Sequence, residues 1–474
     1  MLINGDSFMK KRYSLIFTLI VSTLTVCVYG QAQDHSTIDL LITNGMVITM
    51  NPARTVLGNG TIAINDGVIL AVETSNDALK NKFKAKKVLN AKGKLVIPGL
   101  INTHTHAAMT IFRGFADDLP LQEWLENHIW PAETKYIDAK TVRIGTRLAI
   151  IEMIRSGTTT FNDMYFFEDE VAKVAKEIGI RAVVGEGIID FPTPNNKTPE
   201  KGLEYTEKLI QKWQNDPLIT VAVACHAPYT CSPDLLKKTK ALSDKYGVPY
   251  HIHVSETKTE VDDIQKKYGF TPVGYLENLG ILDDNVIAAH AVHLTKKDIE
   301  LMVKQKVGMS HNPASNMKLA SGIAPVPDLL ANGAEVGLGT DGAASNNDLN
   351  MFEEMDITAK LHKVIKNDPT VMNAKSVLEI ATIGGAKVLG LDDQVGSLEK
   401  GKKADIVIID LNKPHLTPFY NSYSHIVYAV DAADVETVIV NGKVIMEDRK
   451  LLTVDEEKAM QELQALADQI KAKQ

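Results

Sequence analysis

The sequence predicts an α/β protein: a closed (β/α)8 barrel with a small β-sandwich domain built from its N- and C-terminal segments. Two observations predict this. Eight apolar, strand-like runs alternate with helix-like stretches through the middle of the chain. Alternation of that kind builds a parallel sheet, and eight units close it into a barrel. Strand-rich pieces with Asn-Gly and Asp-Gly turns stand at both ends, neither sufficient for a sheet alone. They are therefore expected to join in one small domain.

Residues 1–33 differ in kind from the rest. Lys10, Lys11 and Arg12 precede an apolar run from Leu15 to Val28, followed by small and polar residues. This reads as a secretory signal peptide cleaved near Gly30, which leaves no membrane span and directs the mature protein to the periplasm. Cys27 lies in that run after Leu24-Thr25-Val26, a poor context for lipid attachment. Residues 38–95 give the first part of the β domain, with hairpin turns expected at Asn44-Gly45 and Asp66-Gly67. Residues 96–394 give the barrel. Residues 395–452 return to strands, with a turn at Asn441-Gly442. Residues 453–474 end the chain in an amphipathic helix with Met460, Leu463, Leu466 and Ile470 at helical spacing.

The barrel strands are read in VIPGLINTHTH (from Val96), GTTTFNDMY (from Gly157), RAVVGEGIID (from Arg181) and ITVAVACHAPYT (from Ile219). VPYHIHVSE (from Val248), NVIAAHAVHL (from Asn285), KVGMSHNPASN (from Lys306) and AEVGLGTDGAASN (from Ala334) complete the eight. A doubly wound open sheet competes, but it carries a glycine fingerprint after its first strand. Here His104-Thr105-His106 stands in that place.

Ionisable residues recur where these runs stop: His104, His106, Asp163, Glu186, His226, His253, Glu256, His290, His293, His311 and Asp341. In a barrel they converge on one rim, where the chemistry of this fold sits. Buried ionisable groups are costly unless paired or bound to metal, so convergence points to a metal site. A hydrolytic site needs three or four N/O ligands and one open position. His104 and His106, one residue apart on a strand, supply two. His253 is the third, with Glu256 three residues on; His251 lies deeper. Asp341 offers a carboxylate as ligand or proton acceptor. The fourth run, AVACHAPYT, lacks the lysine that a carbamate-bridged pair of metals would need, so one divalent ion is expected. The net charge of −8 without a basic block excludes nucleic acid as a partner. Cys225 and Cys231, too few for a disulfide framework, are expected to be free.

The runs PGLINTHTH, RGFADDLPLQEWL (from Arg113), FNDMYFF (from Phe161), HAPYTCSPDLL (from His226), HVSET (from His253), HAVHL (from His290), SHNPASNMKLASGIAPV (from Ser310) and LGTDGAASNNDLNMF (from Leu338) occur in order along nearly the whole mature chain. They resemble the amidohydrolase superfamily, and within it the 5′-methylthioadenosine/S-adenosylhomocysteine deaminases. The resemblance implies hydrolytic deamination of adenosine-type nucleosides by metal-activated water attacking purine C6. It implies His104, His106, His253 and Asp341 as ligands of one ion per subunit, zinc or iron. It implies Glu256 as the carrier of a proton to ring N1, His290 as a hydrogen-bond partner of the attacking oxygen, and Asp341 as proton acceptor. His226, Glu133 and Ser345 match nucleoside-binding positions. Trp124, in the loop after the first strand, is placed to cover the purine or its 5′ substituent, or to pack. Homo-oligomers are common among such relatives. Triazine hydrolases and guanine-type deaminases share several of these blocks and give the alternative reading; an inactive binding homologue is disfavoured because the ligand set is intact.

One feature departs from the expected pattern. S-adenosylhomocysteine carries a carboxylate, whose natural partner is a bidentate arginine. No arginine occurs between Arg181 and Arg449, and Arg113 alone stands near the expected mouth, with Lys197 and Lys318 as possible point charges. Substrates without a carboxylate are therefore expected: 5′-methylthioadenosine, 5′-deoxyadenosine or adenosine.

Overall fold

A computed structural model describes residues 36–74, 79 and 82–473. The expected signal segment lies outside the described residues. The N-terminal strands are β1 (Ser36–Ile48), β2 (Val56–Asn65), β3 (Val68–Glu73), β4 (Phe83–Asn90) and β5 (Lys94–Pro98). The barrel strands are β6 (Leu100–Thr105), β7 (Thr158–Tyr165), β8 (Arg181–Ile188), β9 (Ile219–Val221), β10 (Val223–Cys225), β11 (Tyr250–Val254), β12 (Val286–His290), β13 (Gly308–His311) and β14 (Val336–Leu338). The chain ends with β15 (Ile406–Asp410), β16 (Val435–Val440), β17 (Lys443–Glu447), β18 (Lys450–Leu451) and the helix Glu456–Lys471.

Each of the eight runs read as a barrel strand forms one, the fourth interrupted at Ala222 between β9 and β10. The sheet is parallel and closes where Leu338 of β14 pairs with Asn102 of β6. Its strands are buried along their length, as a sheet covered by helices requires. Ile101, Val183 and Ile287 of β6, β8 and β12, and Ala222 between β9 and β10, cluster toward the strand starts with Ala386 and Leu389 of the following chain. This apolar plug leaves the polar residues to the opposite end. The surrounding helices carry their own start and stop signals. Asp138 and Thr141 cap each other at the helix Ala139–Arg155, and Gly179, Gly247 and Gly269 end three others in the left-handed region.

The terminal strands form one sheet in the order β18-β17-β16-β15-β5-β1-β2-β3, with β4 also on β1. β5 pairs antiparallel with β15, so the two ends of the chain share one sheet. A bridge from Val68 to Lys403 curls its far edge back toward β15 around Leu40, Ile42, Ile62, Ile406 and Ile408.

Three local expectations differ from what forms. Asn44-Gly45 is not a hairpin turn but a bulge inside β1, with Asn44 at φ 63°. A Cβ on Gly45 would lie 2.6 Å from Val96 Cγ2, so the bare glycine lets β5 approach. Asp66-Gly67 and Asn441-Gly442 are turns as read, all four residues having positive φ. VIPGLINTHTH is two strands rather than one: β5 belongs to the terminal sheet and β6 to the barrel. The chain changes sheets at Gly99, where a Cβ would fall 1.9 Å from Thr159 Oγ1. Finally, Met460 is 48% exposed, and Ala459 takes its place beside Leu463 and Ile470 on the buried face of the last helix.

Candidate active site

The strand ends of β6, β11, β12 and β14 bring His104, His106, His253, His290 and Asp341 together. One ligand atom each from His104, His106 and Asp341 lies within 4.8 Å of the others, and the same holds for His104, His253 and His290. Asp341 Oδ1 is 3.4 Å from His104 Nε2 and 3.2 Å from His106 Nε2. Asp341 is reached through Gly339, which passes so close to β6 that a Cβ there would lie 2.9 Å from His104 N. The amide of Asp341 then donates to His104 O at 2.9 Å. Asp341 (φ 61°), His290 (φ 71°) and Ser255 (φ 54°) all hold left-handed backbone at the strand ends. Such strain persists where surrounding contacts over-determine it, as at active sites.

The donor set fits a metal ion. The Nδ1 of each histidine is engaged behind the site. His106 donates to Met164 O, His253 to His226 O (2.7 Å), and His290 to Asn316 Oδ1 (2.8 Å). His104 Nδ1 faces His251 Nε2 at 3.0 Å, which places His251 behind the ligands as the sequence suggested. This fixes the tautomers and turns each Nε2 lone pair toward the common centre. His104 Nε2 is fully buried and has no hydrogen-bond partner. Burial lowers His104 to about 4 against the pull of Asp341, and lowers His253 well below the usual imidazole range. Burial also opposes charge on His106, but the hydrogen bond and charge of Asp341 overcome it and raise that imidazole to about 9. The pocket thus favours one positive charge beside Asp341, a place that a divalent ion suits. Ser315 Oγ and Ser345 Oγ both donate to Asp341 Oδ2, at 2.6 and 3.0 Å, and orient it.

A cavity of about 700 Å³ opens in front of this cluster. Glu256 Oε2 lies 3.8 Å from His290 Nε2, with Ser321 Oγ the nearest donor at 3.5 Å. Burial raises the Glu256 carboxyl above its usual range, opposed by the charge of His290. Glu133 and His226 line the same cavity. Burial raises Glu133 to about 7, the facing Tyr165 opposing it. His226 is lowered to about 3 by burial and by the neighbouring imidazoles, so it is neutral. Its Nδ1 bonds Thr230 Oγ1 at 2.8 Å, leaving Nε2 for a ligand. Trp124 and Trp130 flank a π-helical turn, Leu125–Ile129, which turns Trp124, Leu125 and Ile129 onto the cavity wall. π turns inside helices recur at functional sites. Trp124 Nε1 donates to Ala116 O, so the indole is held as a wall.

The structure leaves other strand-end residues out of the cavity lining. Glu186 accepts from Asn195 and Asn196 (2.8 and 2.9 Å) and from the Glu168 amide. His293 bonds Ser321 O, and His311 packs on His362 with 3.2 Å between their Nε2 atoms. Asp163 accepts from Thr105 Oγ1 and the Ala107 amide on either side of His106, both at 2.6 Å, and supports the ligand loop from behind. Ser345 touches the cavity, but its hydroxyl is committed to Asp341 and Gly342 O. Sequence reading missed Met164, Tyr165, Phe166, Tyr229, Thr230, Ser315 and Asn316. Met164 and Tyr165 lie within two residues of Asp163 and the others within five of a named strand-end residue, and that adjacency was the available signal. No lysine or arginine lines the cavity among the described residues. Arg113 pairs with Glu152 and Asn347 O, and Lys318 pairs with Asp117. Cys225 and Cys231 are buried and free.

Residues 95–445 match the amidohydrolase family. A 5-methylthioadenosine/S-adenosylhomocysteine deaminase of Syntrophobacter fumaroxidans is 51% identical, over 91% of this chain and 98% of its own. A 5′-deoxyadenosine deaminase of Methanosarcina acetivorans is 46% identical, over 92% and 99%. The crystal structure of a zinc-bound adenosine deaminase from Xanthomonas campestris superposes with a TM-score of 0.91 at 39% identity, over 92% of this chain and all of that one. The chain belongs to the amidohydrolase family.

Proposed function

We propose that the protein is a metal-dependent hydrolase that deaminates adenosine-type nucleosides, and that it favours those whose 5′ substituent carries no carboxylate. The observation that carries this reading is one cavity lined by His106, His253 and Asp341, with the buried His104 against Asp341, and by Glu256, His290, Glu133 and His226. The names of the 46–51% identical relatives support the nucleoside class.

His104, His106, His253 and Asp341 would hold a divalent ion; three imidazoles and a carboxylate suit zinc, and the zinc-bound relative agrees. When bound, the ion supplies Lewis acidity that lowers the pKa of water toward neutrality. Glu256 carries its proton to the ring nitrogen next to the reacting carbon. Burial raises its pKa, which favours the protonated form that this step uses. His290 places Nε2 beside Glu256, where charge develops on the attacking oxygen, and Asn316 fixes its orientation. Asp341 takes up a proton and passes it to the departing amine, held on station by Ser315 and Ser345. Glu133 accepts from the ribose diol, and His226 offers Nε2 to the nucleoside. Trp124, Leu125 and Ile129 wall off the apolar end, where a methylthio or methyl group is accommodated and a carboxylate finds no partner.

Loss of the adenine absorbance band and release of ammonia test this reading on adenosine, 5′-deoxyadenosine, 5′-methylthioadenosine and S-adenosylhomocysteine, with guanine as control. Turnover of the first three is expected. Turnover of none, with metal bound, would favour action on another ring, and S-adenosylhomocysteine as the best substrate would overturn the carboxylate argument. Export to the periplasm rests on residues 1–33 alone and is tested by the N-terminal sequence and compartment of the mature protein. The proposed homo-oligomer is tested by light scattering.

A further inference from the structure

Glu256 projects from a short turn between β11 and the helix Lys258–Tyr268. Its carboxyl has few anchors of its own: Ser321 Oγ at 3.5 Å and His290 Nε2 at 3.8 Å. Its position is therefore set by the main chain, and that main chain is strained, with Ser255 in the left-handed region at φ 54°. Two groups hold it there. Ser255 O accepts from the amides of Val292 and His293 at 3.1 and 2.9 Å, just beyond His290. Glu260, only 5% exposed, accepts from the Ser255 amide with Oε1 at 2.8 Å and from the Glu256 amide with Oε2 at 2.7 Å.

A plain helix cap does not explain this. Thr257 is the cap: its hydroxyl accepts from the Glu260 amide at 3.1 Å. In an ordinary capping box the third-position glutamate returns to the cap residue's own amide. Here the carboxylate faces the Thr257 amide too, and its two oxygens also bond the amides of the two residues before the cap, which carry the active-site turn. A carboxylate suits the task because both oxygens accept, whereas an amide side chain would set an N–H against an N–H. Burial pushes the Glu260 carboxyl up, and the amides it bonds oppose that shift by favouring the charged form in which both oxygens accept.

We propose that Glu260 is a positioning residue for the reaction, its two carboxylate oxygens fixing the Ser255–Glu256 main chain so that Glu256 presents its carboxyl to the substrate ring. The proposal rests on the reading of Glu256 as proton carrier. Glu260→Gln is expected to lower kcat about 100-fold, the scale on which small misplacements of reacting groups act, with KM and metal content unchanged. Thr257→Ala, which removes only the cap, is expected to lower the Tm while kcat stays within about twofold. In a Glu256→Gln background Glu260→Gln is expected to cost nothing further, because two residues acting through one group are not additive. Should Glu260→Gln not accumulate folded, Glu260→Asp carries the test; its shorter side chain reaches one amide, and an intermediate kcat at unchanged KM is expected. The proposal is overturned if the Glu260 variants lose metal or change KM alone, if Thr257→Ala loses kcat equally, or if Glu260→Gln costs as much with Glu256 already replaced. Wild-type turnover by Glu256→Gln would instead sink the role of Glu256 itself.

Discussion

Glu256→Gln keeps the shape of the side chain and removes the ionisable proton. It is expected to retain full metal content and lose roughly 10²–10⁴-fold in kcat, the range of a general acid–base group. His104→Ala should lose the metal as well, read by elemental analysis of the purified protein. A pH dependence follows from His106. In the metal-free protein Asp341 raises it to about 9, so at pH 7 it carries a proton that a metal must displace. Metal binding should release about one proton at pH 7, and apparent affinity should weaken as pH falls below that pKa. Calorimetry in two buffers of different ionisation enthalpy measures this; heats independent of buffer would refute it. At this scale the reactive groups were legible because each stands where an apolar run stops. The partners that tune them were not. Nothing in the string says that Ser315 turns to Asp341, that Thr230 bonds His226, or that Glu186 faces Asn195 instead of substrate. Those contacts depend on which way each strand and loop twists.

The eight barrel strands were legible as elements because a parallel strand buried on both faces is an apolar run with clear ends. Boundaries where two sheets meet were not, since VIPGLINTHTH has the same apolar texture on both sides of Gly99. Gly99→Ala tests that junction. Its Cβ would fall 1.9 Å from Thr159 Oγ1, and the backbone shift needed should cost about 1–3 kcal/mol, read as a lower Tm. The Asn44-Gly45 bulge shows the same limit. The pair favours left-handed backbone wherever it stands, and only the approach of Val96 decides between a turn and a bulge. The π turn at Leu125–Ile129 left no periodic trace, because one extra residue in a helix shifts the apolar face without breaking it.

Across the whole molecule, the barrel and terminal sheet are joined by a buried ion pair. Arg181, at the start of β8, meets Asp405 with Nε to Oδ2 at 2.9 Å, and Asp405 also accepts from the Asn441 amide at 2.7 Å. Arg181→Met strands a buried carboxylate and should destabilise the protein by about 3–5 kcal/mol in denaturant melts. The same change with Asp405→Leu should cost less, since no buried charge is then left unpaired. The β5–β15 pairing has a consequence of another kind, in the order of synthesis. β5 leaves the ribosome long before β15 exists, so through most of translation it has β1 but no partner on its other edge. An open, apolar strand edge is a template for wrong pairing. The nascent chain is therefore most exposed to misassembly in the interval before residues 406–410 emerge, and a chain stopped after the barrel should aggregate even though every proposed metal ligand has already been made.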